Sequence, residues 1–168
     1  GIPERILTRG DVLEPAEGIR LEVVWPDEAI LSSFRPDGDV SGNEASLAMR
    51  LTRDGRGLAL LCGDMTTPAL RRLAESGQPL HADVLVLPHH GATSSLQTKF
   101  YDAVAPNCVM ASAASYNHYG FPGRKVREEM RKRDIPLYST TMLGGMRVFW
   151  EGDGRNMTGP LSDKGIFH

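Results

Sequence analysis

The stretch from Leu58 to Ser95, LALLCGDMTTPALRRLAESGQPLHADVLVLPHHGATSS, limits the fold more than any other part of the chain. It reads as a buried strand over Leu58 to Cys62, a Gly-Asp at its end, a helix, a second buried strand over Asp83 to Leu87, and then Pro-His-His-Gly. Strand, crossover helix and strand make a parallel βαβ unit with a right-handed crossover. Both strands of such a unit finish on one edge of the sheet, where open α/β sheets place their sites. Asp64 follows the first strand, and His89 and His90 follow the second. Neighbouring strand ends lie about 5 Å apart, or about 10 Å apart with one strand between them. A carboxylate and two imidazoles that close are half of a metal site.

The remaining composition narrows the class. The chain has 168 residues, enough for one domain with a sizeable core, with 40% hydrophobic and 24% charged residues. A formal net charge of -2 removes any global basic signature for nucleic acid. No apolar run is long enough to span a membrane, so the piece itself is expected to be soluble. It starts GIPERI, without an initiator Met or a signal pattern, and is expected to be cut from something longer. Two cysteines, Cys62 and Cys108, make no disulfide framework and read as small buried hydrophobes.

In chain order, Arg5 to Val12 reads as a short edge strand and turn, and Ile19 to Trp25 as a strand ended by Pro26. Asp27 to Gly42, rich in Ser, Asp, Gly and Pro, reads as a loop. Ala45 to Leu51 and Leu58 to Cys62 flank Arg53-Asp54-Gly55-Arg56, a hairpin signal. Thr67 is the expected cap of the crossover helix, with Pro68 in its first turn. Ser94 and Gln97 have capping-box spacing for a helix running to about Val104. Asn107 to Ala111 is a third strand, residues 123–133 a basic helix, Leu137 to Thr140 a fourth strand, and Met146 to Trp150 an antiparallel strand. Residues 1–151 are expected to form the domain and 152–168 a loose tail. The core is then a hairpin followed by β-α-β-α-β-α-β, an α/β fold with a mixed sheet.

The third strand feeds Asn117 and His118 toward the rim that holds Asp64, His89 and His90. With Thr66 and Thr67 better placed to cap, Asp64 is left for chemistry, where a carboxylate can bridge divalent ions. Side chains alternate in extended backbone, so one histidine of the pair is expected to bind metal and its neighbour to contact substrate or support the first; the choice stays open. Ser94 and Ser95 open a helix whose N-terminus could hold a phosphate. His81 falls on the opposite edge and reads as structural.

These residues resemble the C-terminal half of the metallo-β-lactamase-like domain of ComEC-type DNA-internalisation competence proteins. The matching features are Asn43-Glu44-Ala45-Ser46-Leu47, Leu61-Cys62-Gly63-Asp64, Ala82 through Gly91, Ala105-Pro106 and Asn117-His118-Tyr119-Gly120-Phe121-Pro122. The resemblance covers roughly residues 5–150. It implies part of an αββα sandwich with two metal ions, usually zinc, along one sheet edge. It implies metal ligation by Asp64 and by one histidine of the His89-His90 pair. Ser94, Ser95, Asn117 and His118 are expected on the substrate side from their own place at the rim, not from the resemblance. The activity implied is phosphodiester hydrolysis linked to uptake of DNA as a single strand. The implied partners are DNA and a membrane channel in the same polypeptide, in the cytoplasmic membrane with this domain on the non-cytoplasmic side.

Two departures set further expectations. The family's upstream His-x-His-x-Asp-His motif has no match here, and Phe121 stands where the family usually has a histidine. A hydrolytic zinc needs three protein ligands and an open position for water. The isolated chain is therefore expected to bind metal weakly and to be inactive. A half-sandwich leaves one sheet face short of cover, so self-association is a further expectation. The alternatives are a non-catalytic module binding single-stranded DNA, and a metallohydrolase acting on a small-molecule or cell-wall ester.

Overall fold

The computed structural model describes residues 4–34, 42–150 and 156–160. One mixed sheet of seven strands runs through it in sequence order: β1 (Val12–Ala16), β2 (Ile19–Trp25), β3 (Ala48–Arg53), β4 (Arg56–Leu61), β5 (Val84–Val86), β6 (Cys108–Ala111) and β7 (Leu137–Ser139). β1 to β4 are antiparallel neighbours. The β3–β4 turn places Asp54 and Gly55 at φ +50° and +83°, the two left-handed positions that a tight hairpin turn demands. The edge strand begins at Val12, where the sequence placed its end. Residues Arg5 to Asp11 instead form a turn held by the Asp11 carboxylate, which accepts from the Thr8 amide at 2.9 Å.

The expected loop of residues 27–42 contains a helix, α1 (Glu28–Ser33). Asp27 caps it by accepting from the Ile30 amide at 2.9 Å, a signal masked by the polar composition around it. Residues 35–41 lie outside the described residues.

From β4 onward the strands are parallel and joined by helices: α2 (Thr67–Glu75), α3 (Thr98–Val104) and α4 (Arg124–Lys132). Leu60, Leu85 and Val109 lie side by side on one sheet face, paired through the β4–β5–β6 register. They are packed under Leu70 and Leu73 of α2, Phe100, Tyr101 and Val104 of α3, and Val126 and Met130 of α4. Their neighbours Ala59, Val84 and Cys108 face the other way. This period-two switch is what a sheet with apolar layers on both sides requires. β7 is followed at once by a short α5 (Thr140–Leu143), capped by Ser139, where the sequence suggested only the end of a strand.

The second face carries a cover that the sequence did not suggest. β8 (Met146–Trp150) pairs antiparallel with β9 (Asn156–Pro160) in a separate two-stranded sheet. Residues 156–160 were expected to belong to a loose tail; 152–155 and 161–168 lie outside the described residues. Val148 and Trp150 pack against Ala59, Val84 and Cys108. The Trp150 indole donates to the buried Asp83 carboxylate at 3.2 Å, which also accepts from Arg56 at 2.7 Å and Asn107 at 3.2 Å. The hairpin is thus fastened to the end of the sheet opposite the histidines. Among the described residues no helix is long and apolar enough to cross a membrane.

Cys62 and Cys108 are buried and form no disulfide; they belong to clusters on opposite sheet faces. Complete burial pushes the Cys62 thiol well above its ordinary range. A buried thiol held protonated is a poor nucleophile. The native chain should therefore leave Ellman's reagent nearly colourless at mildly alkaline pH, with two thiols appearing in denaturant. Rapid release of one equivalent from the native protein would contradict this packing.

Candidate active site at the carboxyl edge of the parallel strands

β4, β5 and β6 are adjacent and parallel, so the segments that follow them share one edge of the sheet. Gly63 leaves β4 at φ +52° and turns Asp64 upward. The Asp64 amide donates to the Ser46 hydroxyl at 3.3 Å, bracing this turn against the segment before β3. The helix cap that follows falls at Thr66, one residue before the expected Thr67, and has no side-chain hydrogen bond. Thr67 is occupied elsewhere, with its hydroxyl against the carbonyls of Ser94 at 2.8 Å and Leu96 at 3.2 Å. Asp64 is not drawn into the helix. Its half-exposed carboxylate lies 3.6 Å from His90 Nε2.

His89, His90 and Gly91 form a consecutive left-handed run, with φ +49°, +56° and +78°. The expected extended backbone after β5 is absent. Left-handed geometry costs a non-glycine residue roughly 1–2 kcal/mol, and such outliers persist only where surroundings hold them. Here the His89 amide donates to the Gly63 carbonyl at 2.9 Å, and the Ala92 amide to the His89 carbonyl at 2.8 Å. The run separates the two rings. His90 turns toward Asp64, while its Nδ1 lies 2.8 Å from the Ser112 carbonyl at the end of β6. A carbonyl only accepts, so Nδ1 carries a proton and donates it to Ser112, which leaves Nε2 on the side of the ring that faces Asp64. His89 turns inward, and its Nδ1 is buried with no hydrogen-bond partner. The strand–loop geometry thus distinguishes two histidines that the sequence left equivalent.

The other expected site residues divide. Ser94 lines the same cleft as Asp64, His89 and His90, a hollow of about 560 Å³ that also touches Thr93, Tyr119 and Phe121. Ser95 is buried, with its hydroxyl 2.9 Å from the Pro88 carbonyl and 2.7 Å from that of Ala92, so it fastens the histidine turn from beneath. The expected capping box is also different: Ser94 and Ser95 sit in a separate short turn, and Gln97 itself caps α3 through the Lys99 amide. Asn117 shapes its own loop. Its amide donates to the carbonyls of Ala114 at 2.8 Å and Phe121 at 3.1 Å, and its oxygen accepts from the Phe121 amide at 2.6 Å. His118 lies against Tyr119, with ring centres 5.1 Å apart, and does not line the cleft.

Phe121 occupies the mouth, 6.0 Å from the His89 ring centre and stacked on His90 at 6.2 Å. Its loop locks onto the histidine turn: the Gly123 amide donates to the Gly91 carbonyl at 2.8 Å, and a Cβ on Gly91 would stand 2.9 Å from that of Pro122. On the basic helix α4, Arg124 pairs with Glu128, and Arg133 at its C-terminal cap pairs with Glu129 and with Asp102 of α3, which suits a solvated face. His81 is exposed on the opposite edge, where its carbonyl accepts from Arg50. Sequence reasoning missed the roles of Ser46 and Ser112. Ser112 acts through its carbonyl, which any residue would supply.

The donor chemistry fits one side of a metal centre and does not close one. Asp64 offers carboxylate oxygens and His90 an oriented Nε2, but no group of three or more His, Cys, Asp or Glu able to hold an ion exists among the described residues. A hydrolytic zinc needs three protein donors.

No protein-family model matches the chain. It is 30% identical over 132 residues to competence protein ComA of Neisseria gonorrhoeae, covering 78% of this chain and 18% of that protein. It is 26% identical over 144 residues to ComE operon protein 3 of Bacillus subtilis, covering 86% and 17%. It is 28% identical over 98 residues to recombination protein 2 of Haemophilus influenzae, covering 58% and 12%. The chain therefore spans less than a fifth of the length of these curated relatives. Their names point to a competence-protein family.

Proposed function

We propose, from relatives that point to competence, that this chain is the downstream part of a metal-dependent phosphodiesterase domain serving DNA uptake. One observation carries the reading: the segments that follow two adjacent parallel strands bring Asp64 and His90 together, with carboxylate and imidazole 3.6 Å apart and the imidazole oriented by a backbone carbonyl. In this reading Asp64 and His90 each give one donor to a centre of two divalent ions, zinc by preference. The remaining donors come from parts of the parent protein outside the described residues. A bound ion would supply a Lewis acid and an activated water for phosphate-ester chemistry. The chain's own residues hold the geometry: Ser112 fixes the His90 tautomer, Ser46 braces Asp64, and Ser95 fastens the histidine turn. The packing of β8 on the second face is compatible with an αββα sandwich completed by other segments. The parent protein is proposed to sit in the cytoplasmic membrane, its channel in the same polypeptide and this domain on the non-cytoplasmic side.

The test is DNA cleavage by the detergent-solubilised full-length gene product, with zinc or manganese and with chelator. Metal-dependent cleavage of labelled DNA, absent for the 168-residue chain alone, is the expected result. A full-length product that leaves DNA intact under every metal would remove the hydrolase reading.

A further inference from the structure

Three rings stand in a row at the mouth of the cleft, and site chemistry uses only the innermost. Tyr119 stacks on Phe121 with ring centres 5.3 Å apart and planes 15° apart. Phe121 stacks on His90 at 6.2 Å and 23°. Tyr119 is 73% exposed, with the His118 ring beside it at 5.1 Å and tilted by 50°. An apolar ring that merely filled space would be expected to fold inward, where burial is favourable. Here the backbone prevents it. Asn117 closes the loop with three hydrogen bonds, Gly120 turns it at φ +68°, and Gly123 ties it to the histidine turn. The rings are presented on a fixed ladder that leads from solvent to His90 and Asp64.

We propose that Tyr119, backed by Phe121, forms a stacking platform for unpaired nucleobases, which feeds a single strand of DNA toward the Asp64–His90 edge. This rests on the DNA-uptake reading and adds the strand state and the residues that select it. Bases within a duplex are already stacked on each other and cannot reach a protein ring; unpaired bases offer both faces. Charge does not substitute for stacking here. The chain has a formal net charge of -2, the cleft lining includes Asp64, and the nearby Arg124 is paired with Glu128. Binding dominated by phosphate neutralisation would fall steeply with salt, whereas stacking does not. The platform therefore gives a shallow salt dependence.

Fluorescence anisotropy on the full chain tests this with a labelled oligothymidylate of about twelve nucleotides, an abasic strand of equal length and a duplex. Oligothymidylate should bind about tenfold more tightly than the abasic strand, and Tyr119→Ala should remove about that factor. Tyr119→Phe should retain the affinity, because the ring face is kept. Tyr119 is exposed, so an unchanged melting curve will certify the fold of each variant. Equal affinity for oligothymidylate and abasic strand, or undiminished binding by Tyr119→Ala, overturns the platform while leaving a DNA-handling role standing. Absence of binding to all three probes overturns the platform and the DNA-uptake reading together.

Discussion

Alanine at Asp64 in the full-length gene product should lower metal-dependent DNA cleavage by at least about a hundredfold, the scale at which even outer partners of a metal site matter. The same substitution should leave thermal stability nearly unchanged. The Asp64 side chain is 48% exposed, and the bond that braces its turn runs from its backbone amide to Ser46, which alanine keeps. Exposed positions without special roles usually move stability by less than about 0.5 kcal/mol. A large loss of activity with an intact melting curve is therefore the signature of chemistry at this carboxylate. His90→Ala should fall in the same way, since it removes the facing donor 3.6 Å distant. Cleavage that survives Asp64→Ala at full rate would take the carboxyl-edge site out of the mechanism.

Trp25→Ala should have the largest effect on folding, about 3–5 kcal/mol, or a melting temperature lower by roughly 6–20 °C in a domain of this size. Trp25 ends β2 with only 2% of its surface exposed, inside the main core. Its indole also donates to the Glu44 carbonyl at 2.7 Å. That bond fastens the segment carrying Ser46, which in turn braces Asp64. Trp25→Phe keeps most of the volume and loses the hydrogen bond, so it should cost about 1 kcal/mol. Chemical denaturation of the two variants separates packing from tethering. If both variants match the parent chain, the placement of residues 43–47 against β2 is wrong.

The parallel half of the sheet was readable because its signals are local. Val84, Leu85 and Val86 are a short apolar run, and Asp54-Gly55 has the backbone freedom for a two-residue turn. Gly123, expected to open the basic helix, does so as its N-terminal cap. Where several nearby groups compete for one role, the sequence misled. Thr67 looks like a cap, but its hydroxyl is taken by carbonyls 27 and 29 residues away. Ser94 and Gln97 have capping-box spacing, yet an intervening turn leaves Gln97 to cap alone. Asp27 was overlooked inside a polar run. The 156–160 strand depends on a partner in β8, which itself packs on the β4–β6 face, and its own residues announce neither.

The sequence alone determined that Asp64 and the histidine pair would finish on one edge, because a right-handed βαβ crossover permits little else. It could not choose between the two imidazoles. Their different directions are set by a left-handed turn at His89 and His90, held from Gly63 and Ser95, and by the Ser112 carbonyl that orients the His90 ring. Strand order follows from short-range patterns of burial, whereas a ring's direction follows from hydrogen-bond partners that only folding brings within 3 Å.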